Sequence, residues 1–200
     1  MTTGILLSGG MDSIALAYWR RPPVAFTVDY GQVSAGGEIR AAEEIASALA
    51  MRHEIIRVDC RSLGSGDLAG SEPSLLAPVP EWWPFRNQLL VTLAAMRAVA
   101  LNVDRLLVGS VASDGAHADG RPEFFVRIDA LTAMQESCIR VEAPAIVLSS
   151  TELIRKSGVP REILCWAHSC HTAPVACGAC RGCNKHREVT AELWGEEHAY

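Results

Sequence analysis

The sequence predicts an α/β protein with a doubly wound, mostly parallel five-stranded sheet, and three observations carry that expectation. Short apolar runs alternate with stretches of helical periodicity along the first sixty residues. The runs read as buried strands. Polar residues follow them, where the carboxyl ends of parallel strands form the ligand crevice of an α/β sheet.

Taken in order, Gly4-Ile5-Leu6-Leu7 is the first strand. It ends in Ser8-Gly9-Gly10-Met11-Asp12-Ser13, and a helix follows from about Asp12 to Arg20. Pro22-Pro23 introduces the second strand, Val24-Ala25-Phe26-Thr27-Val28, which ends in Asp29-Tyr30-Gly31-Gln32. The next helix runs from about Gly37 to Met51, with Ile39, Ala42, Ile45, Ala46 and Leu49 on one apolar face. Glu54-Ile55-Ile56-Arg57-Val58 is the third strand. Cys60 to Pro84 is rich in Gly, Ser and Pro and has no periodicity, the mark of a functional or disordered loop. Its end, Trp82-Trp83-Pro84-Phe85-Arg86-Asn87, offers two rings that either stack on a heterocycle or anchor the loop. A helix from about Gln88 to Leu101 leads to the fourth strand, Arg105-Leu106-Leu107-Val108-Gly109, with Ser110 and Asp114 at its carboxyl edge. Pro122 fits the first turn of a helix reaching about Cys138, and Asp119 and Arg121 sit beside its start. A fifth apolar run, Ala145-Ile146-Val147-Leu148, precedes a short helix capped by Ser150 or Thr151 and ended by Gly158 and Pro160. Residues 1–160 therefore read as the α/β domain, and 161–200 as a small cysteine-bearing element packed on it.

Two hundred residues with 49% hydrophobic content suit one globular domain with a small appendage. A net charge of −5 argues against broad nucleic-acid binding. No signal peptide is read at the Met1 end, and the apolar helix interrupted by Arg97 is too short to span a bilayer. A cytoplasmic protein without membrane contact is the expectation. Seven cysteines, four of them crowded between Cys170 and Cys183, read in a reducing compartment as metal ligands before disulfides.

The loop at 8–13 is the main chemical signal. Gly9 and Gly10 let the backbone approach an anion closely, and free N–H groups at the helix start face it with the positive end of the helix dipole behind them. Ser8 and Ser13 add hydroxyl donors, while Asp12 suits a magnesium ion or a backbone cap. The lysine and spacing of a Walker A loop are absent. Near the other end, Cys170, Cys177, Cys180 and Cys183 form Cys-x6-Cys-x2-Cys-x2-Cys, the pattern of a closed, four-thiolate structural zinc site. An iron–sulfur cluster is the main rival and a redox disulfide a lesser one. Cys60, Cys138 and Cys165 read as ordinary, mostly buried thiols, and His168 and His171 as surface or packing residues.

The Ser-Gly-Gly-x-Asp-Ser loop resembles that of the ATP pyrophosphatases. Together with Asp29-Tyr30-Gly31-Gln32, Arg86-Asn87, Asp119, Arg121, Phe124, Thr151-Glu152-Leu153-Ile154 and the four late cysteines, it resembles the QueC family of 7-cyano-7-deazaguanine synthases, in the family's order and over nearly the whole chain. The resemblance implies an adenine nucleotide alpha hydrolase-like fold and ATP, Mg²⁺ and Zn²⁺ as cofactors. It implies adenylation of the carboxylate of 7-carboxy-7-deazaguanine, amidation by ammonia, and a second ATP-driven step to the nitrile. Carried over residue by residue, Leu7, Ser8, Gly9, Gly10, Met11, Asp12 and Ser13 bind ATP with Tyr30 and Gln32 nearby. Arg86, Asn87, Asp114, Asp119 and Arg121 face the 7-deazaguanine. Ser8, Asp12, Ser13, Arg86, Asp119 and Arg121 carry the catalysis. The family is often dimeric, so a homodimer is expected.

The sequence departs from the family at the substrate end: Val33-Ser34-Ala35-Gly36-Gly37 replaces a His and basic stretch, and His117-Ala118-Asp119-Gly120-Arg121 a Tyr-Pro-Asp-Cys-Arg one. The lost bulk suggests an alternative, a QueC-like antiphage-defence enzyme joining a deazaguanine to a protein amine. A non-catalytic zinc or nucleotide-binding module is a further alternative.

Overall fold

The computed structural model describes residues 1–195, and the end of the C-terminal element, 196–200, lies outside the described residues. Five strands form one sheet in the order β3-β2-β1-β4-β5: β1 (Thr3–Leu6), β2 (Val24–Asp29), β3 (Arg52–Arg57), β4 (Arg105–Leu107) and β5 (Arg140–Glu142). All four pairings are parallel, with Ile5 opposite Ala25 on one side and Leu107 on the other. The order reverses between β1 and β4, so the carboxyl ends of those strands flank a topological switch point.

Alternation along the strands sends side chains to two cores. Ile5, Leu7, Ala25 and Leu107 pack on one face. That face is covered by α1 (Met11–Arg20), α2 (Ala35–Ala48), α5 (Ser150–Ser157), α6 (Arg161–Leu164) and α7 (Arg181–Trp194), through residues such as Ile14, Ile45, Leu153, Leu164 and Val189. Phe26, Leu106 and Val108 pack on the other face, under α3 (Arg86–Val99) and α4 (Pro122–Ala133), through Val91, Ala94, Phe125 and Ile128. The long segment after β3 has its own small core, in which Trp83 meets Tyr30 edge-on with ring centroids 4.8 Å apart. Of the two uses expected for the tryptophans, Trp83 therefore anchors the loop.

The α/β class and the strand count agree with the sequence, and the sheet is parallel throughout. Several local expectations need correction. The fifth strand is Arg140–Glu142, while the apolar run 145–148 is a turn that buries Ala145 and leaves Val147 75% exposed. The Asp129 carboxylate pins the true strand by accepting from Arg140 Nε and the Val141 amide, both at 2.8 Å. The helix begun at Pro122 ends at Ala133 rather than about Cys138: the backbone is extended at Gln135 (φ −107°, ψ −167°), and Ser137 then takes a left-handed φ of 61°. The cap of α5 is Ser149, in a reciprocal capping box with Glu152, not Ser150 or Thr151. Cys138 and Cys165 are exposed, and only Cys60 of the three ordinary thiols is buried.

Candidate active site

The loop after β1 and the start of α1 open onto a cavity of about 860 Å³ at the carboxyl edge of the sheet. Gly10 caps α1 with φ −77°, and no described side chain caps the helix, so the first-turn N–H groups are available to an anion. The loop is ordered from within: Ser8 Oγ donates to Ser13 Oγ at 3.2 Å, and Ser13 Oγ donates to the Gly10 carbonyl at 2.9 Å.

The two glycines have different reasons for being glycine. Gly9 holds φ +75°, and a Cβ there would meet the Glu38 carbonyl at 2.7 Å and Ala41 Cβ at 2.8 Å. Gly10 has ordinary dihedrals, and a Cβ would meet only Ser8 Oγ at 3.5 Å and the His168 carbonyl at 3.8 Å. Gly9→Ala is therefore expected to cost on the order of 2 kcal/mol of stability, from left-handed strain plus the clash. Gly10→Ala is expected to fold like the parent yet bind ATP at least tenfold more weakly, because its methyl occupies the anion's approach. Thermal unfolding and a nucleotide titration, run on both variants, check the contrast.

Lysine enters the site from far along the chain. Lys185, at the start of the second turn of α7, lies 3.0 Å from Asp12 Oδ2 and 3.9 Å from Asp114 Oδ1. Burial alone would pull its pKa down, but Asp12 and Asp114 outweigh that and raise it, so the ammonium stays charged. Asp12 is thus neither a backbone cap nor a lone carboxylate. Its Oδ1 is buried without a hydrogen-bond partner among the described residues, an acceptor free for a cation such as Mg²⁺. Asp114 also accepts from the Val111 amide at 3.1 Å, and burial, the largest influence on it, raises its carboxyl above the usual range.

Arg86 lines the same cavity with Tyr30, Glu38, Asn87 and Asp114. Burial opposes the charge of Arg86, yet Tyr30, Asp119, Glu38 and Asp114 together raise its pKa. Burial likewise raises the Tyr30 phenol and the Glu38 carboxyl.

Four of the sequence-predicted nucleotide and substrate residues do not line this cavity: Gly9, Gln32, Asp119 and Arg121. Gln32 is 3% exposed and holds the end of β2, accepting from the Tyr30 amide and donating to the Val28 carbonyl and to Glu38. Asp119 accepts from the Asn87 amide at 3.0 Å at the start of α3, and so stands behind Arg86. Arg121 is exposed and donates to the Gly115 carbonyl. Sequence reasoning missed Glu38, Glu81, Arg181 and Lys185. The only signal was scarcity, since Lys185 is one of two lysines in the chain.

The cysteine segment is built into the same site. Its four sulfurs lie within 4.8 Å of one another, with Cys177–Cys183 at 3.9 Å and Cys170–Cys180 at 4.0 Å. Those separations suit a tetrahedral ion with Zn–S near 2.3 Å. Amides of Cys180 and Ala179 point at Cys177 Sγ, and those of His171 and Cys183 at Cys180 Sγ, as thiolates require. The His168 amide donates to the Gly9 carbonyl at 2.8 Å just before Cys170, and Lys185 reaches Asp12 just after Cys183. Both ends of the segment therefore touch the phosphate-type loop.

Two glycines of the divergent stretches are not vacant. A Cβ at Gly37 would meet His168 Cε1 at 2.5 Å and the Pro174 carbonyl at 2.7 Å, and one at Gly120 would meet the Asp114 carbonyl at 2.1 Å. At these two positions the missing bulk is filled by the chain itself, whereas a Cβ at Gly36 would meet only Arg40 Nη1 at 3.5 Å and Pro174 Cβ at 3.7 Å.

The sequence matches, over residues 3–193, the family described as queuosine biosynthesis protein QueC. Among similar proteins, a 7-cyano-7-deazaguanine synthase of Desulforudis audaxviator is 32% identical over 90% of this chain and 92% of its own. One of Syntrophus aciditrophicus is 31% identical over 98% of this chain and 95% of its own, and one of Nitrosospira multiformis 29% over 92% and 88%. With a parallel sheet whose switch point carries the glycine loop, a four-cysteine cluster against that loop and a family match across almost its whole length, the chain belongs to the QueC family.

Proposed function

We propose that this chain is an ATP-dependent ligase that activates the carboxylate of 7-carboxy-7-deazaguanine as an acyl-adenylate, releases pyrophosphate, and gives the amide with ammonia. A second ATP then drives loss of the amide oxygen to yield the nitrile, 7-cyano-7-deazaguanine. The observation that carries this reading is the uncapped start of α1 beside Lys185 and Asp12, in one cavity with Arg86.

A carboxylate is a poor electrophile, and AMP makes it reactive by supplying a good leaving group. The chain's part is to screen and orient. The loop amides and Ser8 receive the departing phosphates at a helix N-terminus. Lys185 supplies a charge beside them, held in place by two carboxylates. Asp12 and Asp114 offer acceptors that fit Mg²⁺, which when bound would neutralise phosphate charge. Arg86 lies across the cavity, where a guanidinium can take a carboxylate bidentately. Residues 1–160 thus bring the nucleotide loop, and 161–200 bring Lys185 to it. The four thiolates of 170–183 fit zinc and would hold that segment in position.

Incubation with ATP, Mg²⁺, ammonium and 7-carboxy-7-deazaguanine, read by mass spectrometry, is expected to give AMP, pyrophosphate and the nitrile. A mass gain of the deazaguanine on an added protein, with no free nitrile, would point instead to a protein amine as the nucleophile. Absence of any pyrophosphate would leave only a nucleotide-binding role and overturn the reading.

A further inference from the structure

We propose that Glu81, carried by the long loop after β3, is the specificity-determining acceptor for the N–H edge of the substrate's heterocycle. The proposal rests on the ligase reading above and adds the group that recognises the ring.

Glu81 lines the cavity although its side chain is only 5% exposed. Its Oε1 takes Arg181 Nη1 at 2.7 Å, with His117 Nε2 at 4.0 Å. Its Oε2 is buried and has no hydrogen-bond partner among the described residues. A buried carboxylate oxygen without a donor is costly, so its position asks for a donor from a ligand. A role in holding Arg181 alone does not explain it, since the Arg181 side chain is 51% exposed and Oε1 already satisfies that contact.

The loop is built to present this group rigidly. The Asp67 amide donates to the Pro80 carbonyl at 2.9 Å, and Ser65 Oγ donates to the Trp82 carbonyl at 3.3 Å. A Cβ at Gly66, which has φ +70°, would lie 1.9 Å from the Pro80 carbonyl, so glycine lets the two strands of the loop touch next to Glu81. On the other side, Trp83 is 5% exposed and packs on Tyr30, which itself lines the cavity.

Charge decides the class of donor. Arg181 already neutralises Glu81, and Arg86 lines the same cavity. A cationic amine would meet those guanidinium groups, whereas a neutral ring edge with N–H donors meets no repulsion. The geometry along α7 fits a ligand spanning both ends of the site. Arg181 and Lys185 are four residues apart on one helix face, a rise of about 6 Å. One helix therefore carries both the partner of Glu81 and the ammonium beside Asp12. Asp119, which the resemblance places facing the 7-deazaguanine, accepts through Oδ2 from the Asn87 amide at the start of α3.

The test is calorimetric binding of 7-carboxy-7-deazaguanine, and of its counterpart lacking the 2-amino group, to the full chain and to Glu81→Gln. The parent protein is expected to prefer the amino compound about 10- to 100-fold, the size of one charge-assisted hydrogen bond. Glu81→Gln should reduce that preference to about twofold while binding ATP as before. An undiminished preference in Glu81→Gln, or no preference in the parent, overturns the role of Glu81 and leaves the ligase reading standing. Failure of the parent to bind either heterocycle overturns both. Should Glu81→Gln not fold, Arg181→Gln, which keeps the carboxylate, is expected to retain the preference; its loss there would make the pair structural and end the proposal.

Discussion

Replacing Lys185 by methionine is expected to lower ATP-dependent pyrophosphate release by roughly 10²- to 10³-fold, the usual cost of removing one preorganised charge from a transition state. The residue is well placed for so large an effect. Its ammonium sits 3.0 Å from Asp12 and 3.9 Å from Asp114, and it is the one lysine among the residues lining the cavity. Without it, two carboxylates face the incoming phosphates uncompensated, so nucleotide affinity falls as well. Stability should change little, by about 1 kcal/mol or less, because the side chain is 36% exposed and ion pairs of that kind contribute weakly. Lys185→Arg keeps the charge but not the compact ammonium, and is expected to restore part of the rate. Steady-state pyrophosphate release and thermal unfolding, measured together, separate this from a folding defect. A methionine variant with parental turnover would remove Lys185 from the mechanism.

The second large effect concerns the four thiolates. Cys180→Ser is expected to drop bound zinc from about one ion per chain to near zero and to abolish turnover. Cys180 makes two kinds of contact at once. Its sulfur belongs to the cluster, and it also caps α7 by accepting from the Cys183 amide at 3.5 Å. Binding free energy of a structural metal is folding free energy for the segment it closes, and that segment is tied to the phosphate-type loop at both ends, through His168 to Gly9 and through Lys185 to Asp12. Loss of the ion should therefore free residues 8–13 along with 170–185. Hydrogen exchange would show both stretches losing protection while the core strands keep theirs. Metal analysis supplies the stoichiometry, and a visible absorption band with iron in place of zinc would assign the cluster to iron–sulfur chemistry. Retention of full turnover in a metal-free protein would show that the cluster does not position the site.

These two expectations differ in how far the sequence anticipated them. The glycine loop and the cysteine spacing are local patterns, read within a dozen residues, because a helix N-terminus and a metal turn are local structures. The same holds for β1 and β2, whose apolar runs fill both faces of the sheet. The edge strand at 140–142 was invisible because three residues with charged ends carry no period; its place depends on the Asp129 carboxylate eleven residues earlier. The more apolar run at 145–148 drew the assignment instead.

What the sequence determined by itself is the α/β alternation, the anion-binding loop and the four-cysteine element, each encoded by neighbours in the chain. Only the tertiary structure decided which charged groups meet. It brought Lys185 to Asp12 across 173 residues and Arg181 to Glu81 across 100, and it joined Gln32 to Glu38 and Asp119 to the start of α3. An ion pair is set by the closure of the chain around its core, and the identity of a charged residue contains no record of the partner that closure will bring to it.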